Sequence, residues 1–398
     1  MRYFFLAGEA SGDQHAADLM RAIAVVDSAA QFAGLGGDSM RQAGCRIYQD
    51  YRQMAFMGFE AVLRNLSNVQ RNFTIAQKAL LLEKPDILVL IDYPSFNLRI
   101  AAFARRHLPE MKIYYYVPPK VWAWKRYRIH KIAALTDAVL GIFPFEPDFY
   151  RQFGYTCTYV GNPTMDQIRR WKERSPLHGS SDPPYIAILP GSRRSEISHC
   201  LPKMLEAAKR FPDFAIRVAA APGVDDSFYA KWLLADVPLT RDTYSLVAHA
   251  HAAIVNSGTA TLETALLGCP QVAVYHVGCP RLFGLFWRTF FKMRLFTLPN
   301  IILGREAIRE KLALHFTVDE VAEELSRLLH DEAYRQRMLT DYAEIARLLG
   351  DTPAPVNAAK IIVQNISNQH VVTNTQSPTR SYQHVVTNTK LPTARRAK

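Results

Sequence analysis

The 398-residue chain is poor in cysteine and has no cysteine pairing motif: Cys45, Cys157, Cys200, Cys269 and Cys279 are scattered, odd in number and without a C-x-x-C. That argues against a cysteine zinc site and fits a reducing compartment. Neither the G-x-G-x-x-G fingerprint nor the G-x-x-x-x-G-K-[ST] loop occurs, so neither a dinucleotide cofactor nor a P-loop triphosphate is supported. There is no Asp-x-Asp and no clustered His/Asp/Glu set, and His249 and His251, two apart, read as surface or strand-edge residues. The expectation is that no metal and no cofactor takes part. Residues 1–3 run straight into an apolar segment and leave no room for a secretory signal, so the expected location is cytoplasmic. Acids are missing from the last 33 residues, which carry Arg380, Lys390, Arg395, Arg396 and Lys398, so +5 of the net +12 sits there. That stretch repeats the Gln369–Thr375 heptapeptide QHVVTNT at 383–389 and has few large apolar residues. The composition predicts a disordered basic tail over 366–398.

What is present is a rhythm. Short apolar runs at 3–7, 87–91, 113–117, 138–142, 186–189, 215–219, 252–255 and 272–275 alternate with helix-period segments. The alternation predicts βαβ units with parallel sheets, and the length predicts two α/β domains. A polar stretch rich in turn formers places a linker at 171–184, between a first domain over 1–170 and a second over 185–350. Helical patterns over 318–349 close the second half, and residues 351–365 form a helix expected to return to the first domain.

Three of the runs empty into glycine-containing turns before a helix: Gly8-Glu9-Ala10-Ser11-Gly12-Asp13, Pro190-Gly191-Ser192-Arg193 and Asn256-Ser257-Gly258-Thr259. Turns of this kind present backbone N–H groups at a helix start, where an anion can be held; the competing reading of the first is an ordinary β–α turn capped by Ser11 or Asp13. Ligands of open α/β sheets sit beyond the carboxyl ends of strands, so the turns predict a common cleft and a two-substrate enzyme. Asp92 follows the 87–91 run, before Tyr93-Pro94-Ser95-Phe96-Asn97, and is the candidate general base; a turn former ahead of Pro94 is the equal alternative. Arg193 is suited to a diphosphate, and Glu263, one to two helical turns past Ser257, could accept both hydroxyls of a ribose or be a solvated helix acid.

The basic and aromatic residues following Val121, including Trp122, Trp124, Lys125, Arg126, Arg128 and Lys131, could be read as a nucleic-acid surface, but a cleft-lining loop and helix is the simpler account. Two amphiphilic segments stand out. One holds Phe56, Met57 and Phe59 near Arg52, Arg64 and Arg71; the other holds Phe286, Trp287, Phe290 and Phe291 among Arg281, Arg288, Lys292 and Arg294. The cations rule against a spanning helix, leaving an interfacial or acyl-chain surface, a core helix or a homodimer contact; for the second segment the composition favours lipid.

Taken in order, the 8–13 turn, Gly34-Leu35-Gly36-Gly37 with Met40, residues 92–97, Val121-Trp122-Ala123-Trp124, Phe143-Pro144-Phe145-Glu146, Leu189-Pro190-Gly191-Ser192-Arg193, Ser257-Gly258-Thr259-Ala260 with Glu263, and Leu298-Pro299-Asn300 resemble the lipid-A-disaccharide synthase family over about residues 1 to 350. The resemblance implies an α/β fold of GT-B architecture: two Rossmann-like domains whose parallel sheets face a central cleft. It implies an inverting glycosyltransferase that joins UDP-2,3-diacylglucosamine to 2,3-diacylglucosamine 1-phosphate, and so makes a β-1′,6-linked disaccharide 1-phosphate with release of UDP. Such an enzyme is metal-independent and peripheral on the cytoplasmic face of the inner membrane. It implies Asp92, Arg193 and Asn300 as residues needed for activity. Gly191, Ser192, Ser257, Gly258, Thr259 and Glu263 join Arg193 in a UDP pocket, and Glu9, Ser11, Gly12, Asp13, Trp122 and Trp124 line the acceptor side. The chain departs from the family pattern at Asn162, where His is frequent, and at Pro118, where Ser is usual; the Gln common after the Asn300 helix is absent from 310–313. The nearest rival is another UDP-sugar enzyme of GT-B fold, such as a UDP-N-acetylglucosamine 2-epimerase, which would not need the amphiphilic segments. A non-catalytic binder of nucleic acid or anionic lipid is the rival from another class, and the concentration of charge in the tail weighs against it.

Overall fold

A computed structural model describes residues 1–54, 66–123, 125–175, 183–233, 237–276 and 295–373. Trp124, the membrane-facing candidates Phe56, Met57, Phe59, Phe286, Trp287, Phe290 and Phe291, and the tail beyond 373 lie outside the described residues.

The strands form two wholly parallel sheets. The first contains β1 (Arg2–Ala7), β2 (Gln31–Gly36), β3 (Cys45–Asp50), β4 (Ile87–Ile91), β5 (Lys112–Tyr116), β6 (Ala138–Gly141) and β7 (Thr158–Tyr159), in the order β3-β2-β1-β4-β5-β6-β7. The second contains β8 (Tyr185–Leu189), β9 (Ala215–Ala219), β10 (Leu239–Thr240), β11 (Ala252–Asn256), β12 (Gln271–Tyr275) and β13 (Glu310–Leu312), in the order β10-β9-β8-β11-β12-β13. The central strands are buried on both faces, which is why they read as unbroken apolar runs. Residues 31–36, 45–50, 158–159, 239–240 and 310–312 carry no such run and were not expected as strands. β3 is a half-exposed edge, and β2 needs Gly34 because a side chain there would meet the Phe5 carbonyl at 2.2 Å.

In each sheet the chain order reverses between two strands, β1 beside β4 and β8 beside β11. The crevice at the carboxyl ends of such a pair is where an α/β sheet receives ligands. The turns at Gly8, Asp92, Pro190 and Ser257 all open from these four strands.

Two boundaries differ from those the sequence predicts. The helix Pro163–Arg174 continues through the first residues of the predicted linker, because Asn162 caps its start and its amphipathic face keeps Ile168 buried. Asn162 accepts from the Thr164 and Met165 amides at 3.0 and 3.2 Å and donates to the Ile142 carbonyl at 2.9 Å. The last helix, Ala354–Thr373, runs past Ile366 into the stretch predicted to be tail. It packs against the helix Ala10–Val26, burying Ala354, Ala358, Ala359, Ile362 and Val363 among Ala16, Leu19 and Ile23 of the first sheet's layer. The helical region over 318–349 is two helices meeting at Asp331, which ends Val318–His330 and caps Glu332–Leu349 through the Tyr334 amide at 2.9 Å. Among the described residues, no helix is long and apolar enough to cross a membrane.

Candidate functional site

Asp92 stands at the carboxyl end of β4 with φ at 42°, and Tyr93 follows at 43°. Two consecutive non-glycine residues in the left-handed region cost about 1–2 kcal/mol each and persist only where the surroundings hold them. Here the holding groups are specific. The Asp92 amide donates to the Val117 carbonyl at 3.1 Å, and the Asp92 carbonyl accepts from Tyr115 Oη at 2.6 Å and Asn97 Nδ2 at 2.8 Å. Tyr93 lies across Gly8, where an added Cβ would meet its ring at 2.4 Å, so the β1 and β4 turns interlock. The backbone polar groups are consumed by this lock, and the Asp92 carboxylate is left for other work. Burial raises its pKa above the ordinary aspartate value, while Lys120 and the Tyr93 amide lower it. Lys120 retains solvent contact but is crowded enough that desolvation lowers its own pKa, against the raising effect of Asp92 and Glu146.

Glu9 is the N-cap of the helix Ala10–Val26, which therefore begins one turn earlier than the helical pattern from Gln14 suggests. Its pKa is raised by burial and by Asp92, and lowered by Arg193. Arg193 belongs to the turn after β8, so the charge of the second sheet's turn acts on a carboxylate of the first. Glu9 thus lies within electrostatic reach of both Asp92 and Arg193.

The second sheet carries a cavity of about 430 Å³ between the turns after β8 and β11. Gly191, Ser192, Arg193, Ser257, Gly258, Thr259 and Glu263 all line it, as do Asn256, Glu196 and Thr243. Gly191 sits at φ 119°, and a side chain there would lie 2.7 Å from both Asn256 Nδ2 and Glu196 Oε2. The two helix starts differ. At the β8 turn Glu196 Oε2 accepts from the Ser192 and Arg193 amides at 3.0 and 3.3 Å, and Glu196 Oε1 accepts from the Arg193 guanidinium at 3.1 Å. At the β11 turn Gly258 is an N-cap with no side-chain bond, and its helix, Thr259–Leu266, points its open start at the cavity. Glu263, on that helix, accepts from Tyr244 Oη at 3.2 Å; burial raises its pKa and the tyrosine lowers it.

Four residues read from the sequence as site groups are used elsewhere. Asp13 is buried, and its carboxylate accepts from the Gly37, Ser39 and Met40 amides at 2.6, 2.9 and 3.2 Å, so it caps the short helix Asp38–Gln42. Gly12 is buried, where an added Cβ would lie 3.5 Å from that of Ala7, while Ser11 is exposed. Trp122 is buried edge-on against Phe143 and Phe145 and donates from Nε1 to Glu146 at 3.2 Å. Glu146 is itself buried and its pKa is pushed up to about 7 by desolvation, against the amides of Phe143 and Ile142. Asn300 is fully buried with its amide saturated: Oδ1 accepts from Ala307 and Ile308 at 2.7 and 3.0 Å, and Nδ2 donates to the Ile308 carbonyl and Glu310 at 2.9 and 2.8 Å. Glu310 also accepts from Phe296 and Thr297, so the pair pins residues 296–300 to β13. The Asn300 side-chain amide thus makes four hydrogen bonds that hold this part of the fold.

Sequence reasoning missed Asn256, Glu196, Tyr244, Lys120 and Glu310. Asn256 stands inside a turn singled out in the sequence and Glu196 lies three residues past Arg193, where it accepts from the turn's amides; Tyr244, Lys120 and Glu310 carry no local signal.

Among known proteins, the model of the family described as lipid-A-disaccharide synthetase matches residues 3–362. The lipid-A-disaccharide synthase of Geobacter sulfurreducens is 34% identical over 92% of this chain and 98% of its own length. That of Myxococcus xanthus is 35% identical over 91% and 97%. Solved structures share the fold at low identity. A kitacinnamycin glycotransferase superposes with a TM-score of 0.62 at 12% identity, covering 91% of this chain and 98% of its own. A UDP-GlcNAc 2-epimerase from Neisseria meningitidis superposes with a TM-score of 0.59 at 12% identity, covering 92% and 100%.

Proposed function

The chain belongs to the lipid-A-disaccharide synthetase family, and from that premise we propose that it joins UDP-2,3-diacylglucosamine to 2,3-diacylglucosamine 1-phosphate, giving the β-1′,6-linked disaccharide 1-phosphate and UDP. The observation that carries the reading is a partly desolvated Asp92 at the first sheet's switch point and an Arg193-rimmed cavity at the second's, with Glu9 feeling the charge of both.

In this reading UDP occupies the cavity. The open start of Thr259–Leu266 and the Arg193 guanidinium face the diphosphate, and Glu263 accepts the ribose hydroxyls. The acceptor's 6-hydroxyl lies against Asp92. The carboxylate takes its proton as the oxygen bonds to the donor's anomeric carbon, the carbon–phosphate oxygen bond breaks on the opposite face, and the electron pair leaves on UDP. The configuration inverts. Arg193 and the helix start take up the charge, and no metal is needed. The acylated substrates place the enzyme on the inner membrane's cytoplasmic face, a proposal supported by the cation-flanked aromatics of the two amphiphilic segments. A 2-epimerase is not favoured: the epimerase likeness is one of fold at 12% identity, whereas the family match spans nearly the whole chain.

The test is to incubate the purified protein with both substrates in EDTA and look for the disaccharide 1-phosphate and UDP by mass. Absence of transfer, or epimerised UDP-sugar in its place, refutes the assignment.

A further inference from the structure

Tyr244 stands on the short helix Thr243–Ala248, outside every motif read from the sequence, yet it touches both Glu263 of the cavity wall and the helix Pro163–Arg174 that leads from the first sheet toward the second. Its hydroxyl lies 3.2 Å from Glu263 Oε1 and 3.5 Å from the Gln167 side-chain amide, and its ring meets Trp171 edge-on at 6.1 Å between centroids. A hydroxyl has one proton, and the carboxylate, closer and charged, takes it. The Gln167 amide then serves as donor to the tyrosine oxygen, since its oxygen and nitrogen can exchange places by a flip. Gln167 and Trp171 are four apart and share a helix face with Arg170, which binds Asp18 of the helix Ala10–Val26 at 3.0 Å. A continuous set of contacts therefore joins the cavity's carboxylate to the helix that starts at Glu9.

We propose that Tyr244 is a positioning residue for the donor nucleotide: it holds Glu263 in the orientation that receives the ribose hydroxyls and anchors that orientation on the helix joining the two lobes. The proposal rests on the reading of the cavity as a UDP site. It makes ribose recognition depend on where the joining helix stands, so a donor is held firmly only when Gln167 and Trp171 are seated on Tyr244.

The groups around Glu263 set the sign of the pH effect. Tyr244 is the hydrogen-bond donor, Arg170 acts on Tyr244 from the joining helix, Lys172 binds the Leu266 carbonyl at the far end of Glu263's own helix, and Arg193 and Glu196 face it across the cavity. Burial raises the Glu263 pKa and the tyrosine hydrogen bond lowers it. Removing the hydroxyl therefore keeps Glu263 protonated to higher pH.

The experiment measures UDP binding by calorimetry across pH for the full chain, Tyr244→Phe, Glu263→Gln and the double variant. Phenylalanine keeps the ring against Trp171, so the melting temperature checks that the fold survives. The expected result is about ten-fold weaker UDP binding for Tyr244→Phe, of the order for one hydrogen bond to a charged group. The acid limb of affinity moves to higher pH. In the Glu263→Gln background, adding Tyr244→Phe changes affinity less than two-fold, because the tyrosine acts through the carboxylate. Losses that add in the double variant, or an unmoved acid limb, overturn the proposal even where Tyr244→Phe is unstable. Failure of the unaltered chain to bind UDP refutes the nucleotide reading itself, and is separable because it precedes any substitution.

Discussion

Replacing Asp92 with asparagine separates chemistry from architecture, because the structure says which of the residue's atoms do which job. The backbone of Asp92 is locked by Val117, Tyr115 and Asn97, and none of these bonds uses the carboxylate. Asparagine tolerates the left-handed region at φ 42° about as well as aspartate, whereas alanine there adds about 1 kcal/mol of strain. The folded pKa of Asp92 is raised by burial, so the native state disfavours the ionised form; this penalty is present at neutral pH and disappears as pH falls through the raised value. A neutral isostere removes it. Asp92→Asn should therefore melt at or above the temperature of the unaltered protein and bind UDP unchanged. Its turnover should fall by about 10²–10⁴-fold, the contribution of a positioned general base. Asp92→Ala should lose turnover equally and melt lower. The same raised pKa places the acid limb of kcat/KM above the usual aspartate range. The assays are disaccharide formation with saturating donor, calorimetry with UDP, and thermal melting. If Asp92→Asn keeps more than a tenth of the turnover, or loses UDP binding along with it, the general-base assignment is wrong.

Two other substitutions follow from the same geometry. Gly191→Ala puts a Cβ 2.7 Å from Asn256 and Glu196 at φ 119°, so UDP affinity should drop by at least ten-fold, about 1.4 kcal/mol; unchanged affinity in calorimetry would mean the turn does not form the nucleotide wall. Asn300→Ala leaves the Ala307 and Ile308 amides and the Ile308 carbonyl without their partner in a buried place, a loss of about 3 kcal/mol. Denaturant unfolding should show that loss together with reduced activity, while full stability with no activity would restore Asn300 to the chemistry.

How far the site was legible in sequence depended on how local its cause was. Gly191, Ser257, Gly258 and Glu263 are tied to turn and helix geometry within a few residues, and all line one cavity. Asp13, Trp122 and Asn300 carry the same functional-looking residue types, but their partners lie at Gly37, Glu146 and Ile308. Nothing near them in the chain says that those partners exist. Tyr244 is the converse: an unremarked tyrosine made relevant by Glu263 and Gln167, 19 and 77 residues away.

The central strands, the glycine-containing turns after β1, β8 and β11 and the family were legible in the sequence alone, because strands buried on both faces must be apolar and glycine suits a tight turn, whereas β2, β3, β7, β10 and β13 carry no such run. Tertiary structure decided which polar groups are left over for a ligand. A carboxylate or amide is available only if folding has not already satisfied it, and that depends on neighbours brought together by packing.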